Sequence, residues 1–455
     1  MTDLLAAAST WVERRSRPLA AGLAGLAVLG AGAAWALRGL LEAIAVLVVV
    51  GGIALALVAP LLAWCLFVAF ALSGGIPLSI GPVDARLELL GIPMLLVALW
   101  RWRAGRAQPL SRWIVASAAL WLGLGLVSSV LVAPEPLRSV WIWVQQLGGI
   151  LIVWAVARTE PRRRILFSAA SATIGALALA ALVLYLIAPG AQPGATSDDV
   201  RLSGLALEPN LYAAMCVGWL AVSYYLRAWR APWHWAVDAV LVVSVVLAGT
   251  RAAWIAAVVL AVFVAATALR SRGLGAGRTA LVLVGAGAVL GGAMFAVLAA
   301  IGSASDLVNR ALTLLDFSGG TGAYRLTIYQ QALAELAEPW RWVIGSGANS
   351  FSQFHPVDPT NVGAAYLSTV WLAVPYDAGV LGAVGFVALL VLLWLSTVRR
   401  AESLAVFAVV LICASATNSF WLAFPWLFFG LVVDRGMLRH RPTAPDEHPA
   451  PAAHA

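Results

Sequence analysis

The sequence predicts an all-α polytopic membrane protein of about 12–14 transmembrane helices with a long, partly helical extracytoplasmic loop. Three observations carry this. The 455-residue chain is 62% hydrophobic and only 11% charged, too few charges to cover a water-soluble surface. Apolar stretches long enough to cross a bilayer recur from one end to the other. The stretches are continuous rather than alternating, which argues against a β-barrel. The formal charge is +8 with 29 basic residues, and every one is Arg. They fall in short clusters between apolar runs, as the positive-inside rule places them, so the basic balance implies no nucleic-acid partner.

Residues 1–18 read as a cytoplasmic N-terminus, with Arg14, Arg15 and Arg17 before the first span at 19–37. Residues 43–73 are too long for one ordinary span, and Pro60 marks the break into 43–59 and 61–73. Further spans follow at 87–100, 114–133, 138–157, 166–188, 209–226, 236–250, 252–269 and 279–301, completing a bundle over 19–301. A loop at 189–208 interrupts it. Residues 302–370 form the longest non-membrane stretch. There, Leu326, Tyr329, Leu333, Leu336 and Trp340 step by three and four, the spacing of one apolar helix face. Spans at 371–397, 402–418 and 421–434 close the membrane part, and the Pro/Ala-rich tail at 435–455 reads as disordered and cytoplasmic. No internal repeat is evident. Cys65, Cys216 and Cys413 lie in apolar runs without metal-ligand spacing.

Orientation tests this threading. With both termini in the cytoplasm of a multi-pass inner-membrane protein, eight arginines stay outside: Arg38, Arg86, Arg138, Arg201, Arg251, Arg310, Arg325 and Arg341. The other 21 are cytoplasmic. Reading 43–73 as one span inverts every later loop and loses the bias.

The candidate chemistry gathers on the outward face. Arg251 stands in GTRAAW between two spans, and Arg325 opens the loop helix. Each offers a rigid fork of donors that matches phosphate oxygens, and Arg201 adds a third guanidinium. Against this stand a snorkelling Arg251 and a solvated Arg325. Glu208 precedes Pro209 at a helix start, Asp377 lies near the start of an apolar span, and His355 sits in the long loop. Any of the three carboxylate or imidazole groups can serve as a general base. No HExxH, Walker A, GxGxxG or Ser-His-Asp pattern is present, so no metal or nucleotide site is expected.

The ordered landmarks RLSGLALEPNLYA, GTRAAW, YRLTIYQQAL, WVIGSGANSF and DAGVLGAVGF resemble, over residues 195–400, the O-antigen ligase and polymerase family of integral membrane glycosyltransferases. The resemblance implies a polyprenyl-diphosphate-linked glycan donor, and transfer to a glycan or lipid acceptor outside the membrane. It implies membrane lipids as surroundings and no cofactor. It gives Arg251 and Arg325 the diphosphate. The ligases carry a His-Asn pair nine residues before a GxxG. Here Ser368-Thr369 holds that place before Gly379–Gly382, which leaves the base to Glu208, His355 or Asp377. The rival reading is a lipid-linked oligosaccharide flippase or transporter, for which repeat symmetry and midplane charges are the expected signs.

Overall fold

The computed structural model describes residues 16–31, 40–73, 77–80, 83–102, 111–159, 162–188, 190, 192, 201–206, 208–272, 320–356 and 365–433. The expected span at 279–301, residues 302–319, most of the loop at 189–200 and both termini lie outside the described residues. What is described is a polytopic helical membrane protein. Its helices are α1 (Ser16–Ala31), α2 (Leu40–Val46), α3 (Gly52–Val58), α4 (Pro60–Leu72), α5 (Leu87–Leu90), α6 (Ile92–Arg101), α7 (Arg112–Leu131), α8 (Pro136–Ala157) and α9 (Arg163–Ile187). They continue as α10 (Pro209–Tyr225), α11 (His234–Leu247), α12 (Arg251–Ser271), α13 (Gly320–Leu336), α14 (Pro339–Ile344), α15 (Ser350–Phe354), α16 (Val370–Leu395), α17 (Arg400–Ala416) and α18 (Ala423–Val432). Five of them, α7, α8, α9, α12 and α16, are long and apolar enough to cross a membrane alone.

The break expected at Pro60 is a chain reversal. A π-helical turn (Leu47–Gly51) joins α2 to α3, and Ala59 leaves the helix (φ −134°, ψ 68°) before α4 begins at Pro60. Collinear helices would carry Leu72 about 39 Å beyond Val46 at 1.5 Å per residue. Yet α2 packs against strand β1 (Pro77–Ile80), only five residues after α4. The chain therefore folds back at Ala59.

Strand β1 pairs antiparallel with β2 (Val83–Arg86), Pro77 opposite Arg86 and Ile80 opposite Val83. The apolar-run reading gave no sign of this hairpin, because a run of four residues cannot separate strand from helix. Two further elements depart from expectation. The stretch 421–434 yields only the 10-residue α18, about 15 Å long, entered through extended residues at Leu422. On α13 the buried face is Ile328, Ala332 and Leu336, while Leu326, Leu333 and Trp340 of the expected stripe are exposed. The helix is apolar on two sides, and periodicity alone merged them.

The core is helix on helix. Helix α10 is buried over nearly its whole length, against α11, α12, α17 and α18. Trp121 of α7 sits edge-on to Trp143 and stacks on Trp426 at 6.0 Å, with Phe386 4.8 Å away. Small residues let these backbones meet, as between membrane helices generally. Trp426 lies over Gly149, where a Cβ would stand 2.4 Å from the indole.

Candidate functional site

The site is built at one end of the bundle, where α10 and α12 both begin. Glu208 caps α10 in extended conformation (φ −135°, ψ 127°), and Pro209 follows at the first helical position, where its missing N–H costs nothing. Arg251 is the first residue of α12, after Thr250 (φ −97°, ψ 113°). The turn before it depends on Gly249, whose φ of 60° permits the immediate reversal from α11. Two helix N-termini thus face one region, each contributing unsatisfied N–H groups and the positive end of a dipole.

Side chains tie the two starts together. Asn210 donates through Nδ2 to Glu208 Oε1, and Thr250 donates through Oγ1 to Asn210 Oδ1 at 3.2 Å. Glu208 is therefore linked through one amide to the residue before Arg251. Arg201 lies in the segment 201–206, pinned where the Leu202 N–H meets the Leu247 carbonyl and the Ser203 N–H meets Gln192 Oε1 at 3.0 Å.

Arg325 arrives from α13, in the long loop. Its guanidinium donates to the Tyr366 phenol, which is within electrostatic reach of the Glu208 carboxylate. Burial first, then Glu208 and Tyr329, push the Tyr366 phenol above its usual range, while Arg325 pulls the other way. The phenol stays neutral at neutral pH. One turn along α13, Tyr329 and Ser368 share a hydrogen bond of 2.6 Å, and the Ser368 carbonyl accepts the Asn418 N–H at 2.5 Å. The Ser368 hydroxyl thus bonds a tyrosine.

His355 and Asp377 belong elsewhere. Glu335 lies ten residues after Arg325 on α13, about 15 Å along the axis. His355 Nε2 is 2.7 Å from Glu335 Oε1, and Glu335 Oε2 also takes Tyr376 Oη and Arg341 Nη1. That cluster fastens the loop to the first part of α16. Asp377 faces a second knot. Helix α16 breaks at Gly379 (φ 70°, ψ 175°), which leaves the carbonyls of Tyr376 and Asp377 without helical partners. They accept the N–H groups of Ser346 at 2.7 Å and Gly347 at 3.0 Å, while Asp377 Oδ1 accepts the Asn349 N–H at 3.1 Å. The carboxylate holds the GSGAN turn in the break.

Of the six residues singled out from sequence, Glu208 is bonded through Asn210 to Thr250, the residue before Arg251, and Arg325 is bonded to Tyr366, with Arg201 on a segment pinned to the end of α11. His355 and Asp377 occupy two other networks. Asn210 was legible as the neighbour of Glu208-Pro209. Tyr366 carries no sequence signal, being a loop tyrosine outside any motif. Just below the site, a small apolar cavity of about 20 Å³ lies among Leu72, Ile174, Ala178, Tyr212, Met215 and Leu241. Tyr212 is one turn from Glu208. Among the described residues no group of three or more His, Cys, Asp or Glu converges. No protein-family model matches the chain, and no curated protein sequence matches it.

Proposed function

We propose that this protein is a membrane glycosyltransferase that takes a glycan from a polyprenyl-diphosphate carrier at the outer face of the cytoplasmic membrane. The glycan passes to an acceptor glycan or lipid, as in the O-antigen ligase and polymerase family that the sequence resembles. The observation that carries the reading is the chain Glu208–Asn210–Thr250, which ties a carboxylate to the residue before Arg251, with Arg325 bonded to Tyr366 within electrostatic reach of Glu208.

The chemistry follows from the charges. A diphosphate leaving group gains negative charge as its bond to the anomeric carbon breaks. The Arg251 and Arg325 forks and the N-termini of α10 and α12 stabilise that charge. Glu208 takes the proton of the acceptor hydroxyl whose oxygen forms the new glycosidic bond. Arg201 extends the cationic rim.

The deciding experiment incubates purified protein with a polyprenyl-diphosphate-linked glycan and follows new glycosidic bonds. Wild-type protein forms polymer or a glycosylated acceptor. Arg251→Ala and Arg325→Ala fail, and Arg→Lys is also impaired, because a point charge loses the fork. Wild-type product with both alanine variants at normal expression sinks the reading. Movement of the carrier across the membrane without new bonds makes the protein a flippase instead.

A further inference from the structure

We infer that α14 and the adjoining exposed stripe of α13 are seated in the interface of the lipid bilayer at the site end, as a membrane-resting strap rather than a solvated loop. The inference stands apart from glycosyl transfer.

It begins with the apolar surface that packing leaves over. The bundle takes one face of α13 through Ile328, Ala332 and Leu336. Leu326 and Leu333, seven residues apart and so on one side, remain more than half exposed. Just beyond them Trp340, Trp342 and Val343 of α14 are 45%, 49% and 44% exposed. Five large apolar side chains in eighteen residues of a loop are a patch, not scattered singles.

The depth of α14 says what covers it. Helices α7 and α16 run side by side. A Cβ on Gly385 would meet Trp121 N and Ser117 O, and one on Gly382 would approach Leu124. The chains are thus antiparallel, and continuing that register puts Gly379 opposite residues 125–127 of α7. Gly379 is where α14 plugs in, since a Cβ there would lie 2.0 Å from the Val343 carbonyl oxygen. Val343 therefore stands about one turn, roughly 6 Å, inside the end of a 20-residue membrane-crossing helix. At that end α7 and the start of α8 expose Val130, Leu131 and Leu137. The patch on α14 continues the apolar surface of α7, against which α14 packs.

The polar group in α14 fits the same place. Arg341, between the two tryptophans, is turned inward and paired with Glu335 Oε2 at 3.3 Å and Glu338 Oε2 at 3.1 Å. Its charge is met by the protein, while the indoles on either side stay outward. Trp, with an apolar body and one N–H donor, favours the boundary between headgroups and chains.

The test reads depth directly. The full chain is reconstituted in nanodiscs of phosphatidylcholine and phosphatidylglycerol. Trp342→Cys and Leu333→Cys, each with Cys65→Ser, are labelled with an environment-sensitive fluorophore, and Ala334→Cys serves as the side-facing control. Labels at 342 and 333 are expected to shift to the blue, to be quenched by shallow spin-labelled lipid, and to resist aqueous iodide. The label at 334 should show the reverse. Iodide quenching at 342 and 333 without lipid quenching overturns the inference. So does protection that appears only with energy transfer between labelled copies, which makes the occupant a second chain. Unlabelled Trp342→Phe and Trp342→Asp provide a label-free check. Phe is expected to keep, and Asp to lose, protection of the α14 amides from exchange in nanodiscs. Equal protection in the two also counts against the strap.

Discussion

Replacing Gly379 by Ala tests how the GSGAN turn is held. At φ 70° and ψ 175° the residue occupies backbone space open almost only to glycine, and another residue there costs about 1–3 kcal/mol. A Cβ would also stand 2.0 Å from the Val343 oxygen and 2.4 Å from its carbon, both backbone atoms that cannot rotate away. Relieving the clash pulls α14 from the break and lengthens the bonds from Ser346 N–H to Tyr376 and from Gly347 N–H to Asp377, each about 1 kcal/mol. Local destabilisation of about 3–5 kcal/mol follows, or about 10²- to 4 × 10³-fold in a local opening constant. Hydrogen exchange at Ser346, Gly347 and Asn349 in the purified protein reads it. These amides should exchange faster by that factor while those of α7 and α8 stay protected. Gly345→Ala is expected to act alike, since a Cβ there lies 2.5 Å from Gly379 N. The double variant should cost less than the two singles combined, because both break one contact. Wild-type exchange in Gly379→Ala would refute the argument that backbone apposition holds the turn.

Three further outcomes separate the candidate groups. Glu208→Gln should lower turnover by about 10²–10⁴-fold, the range of a general base, while His355→Gln and Asp377→Asn stay within about tenfold. The opposite ranking in steady-state product formation moves the base into the long loop. Tyr366→Phe removes the acceptor of Arg325 and should cost about 1 kcal/mol in kcat/KM. Because the phenol pKa is raised, wild-type and Tyr366→Phe should share the same pH profile through neutrality. A limb lost in Tyr366→Phe contradicts this. Asn210→Ala cuts the link from Glu208 to Thr250 and should lower turnover with expression unchanged. Full activity in that variant removes the link from the proposed mechanism.

What could be read in the sequence was what repeats. Long apolar runs set the helices, since a membrane leaves backbone groups few other solutions. Pro60 and Pro209 were legible because proline acts locally, one at a reversal and one at a helix start. The placement of Arg251 at a span boundary followed from hydropathy alone. The β1–β2 hairpin, the break at Gly379 and the contact between Tyr366 and Arg325 were not legible. Each depends on partners far along the chain, and none has a period. Asp377 shows the difference. An acid near the start of an apolar span reads as a functional group, but its carboxylate accepts an amide 28 residues away.

The same comparison explains why Glu208 is the stronger base candidate. His355 and Asp377 each hold a segment of the long loop in place: Glu335 with His355 on α13, and Asn349 with Asp377 at the break in α16. Among the described residues, neither network includes a residue at the starts of α10 and α12. Glu208 stands at those starts. Asn210 contacts one carboxylate oxygen, Oε1, and Thr250 in turn anchors that amide. In the proposed reading this amide orients the carboxylate, and the arginines take the diphosphate. On that reading the site end keeps its acid–base group and its anion-binding groups together, while the loop networks hold the GSGAN turn and α13 against α16. If Glu208→Gln retains full turnover, that division of labour fails, whatever the arginine variants do.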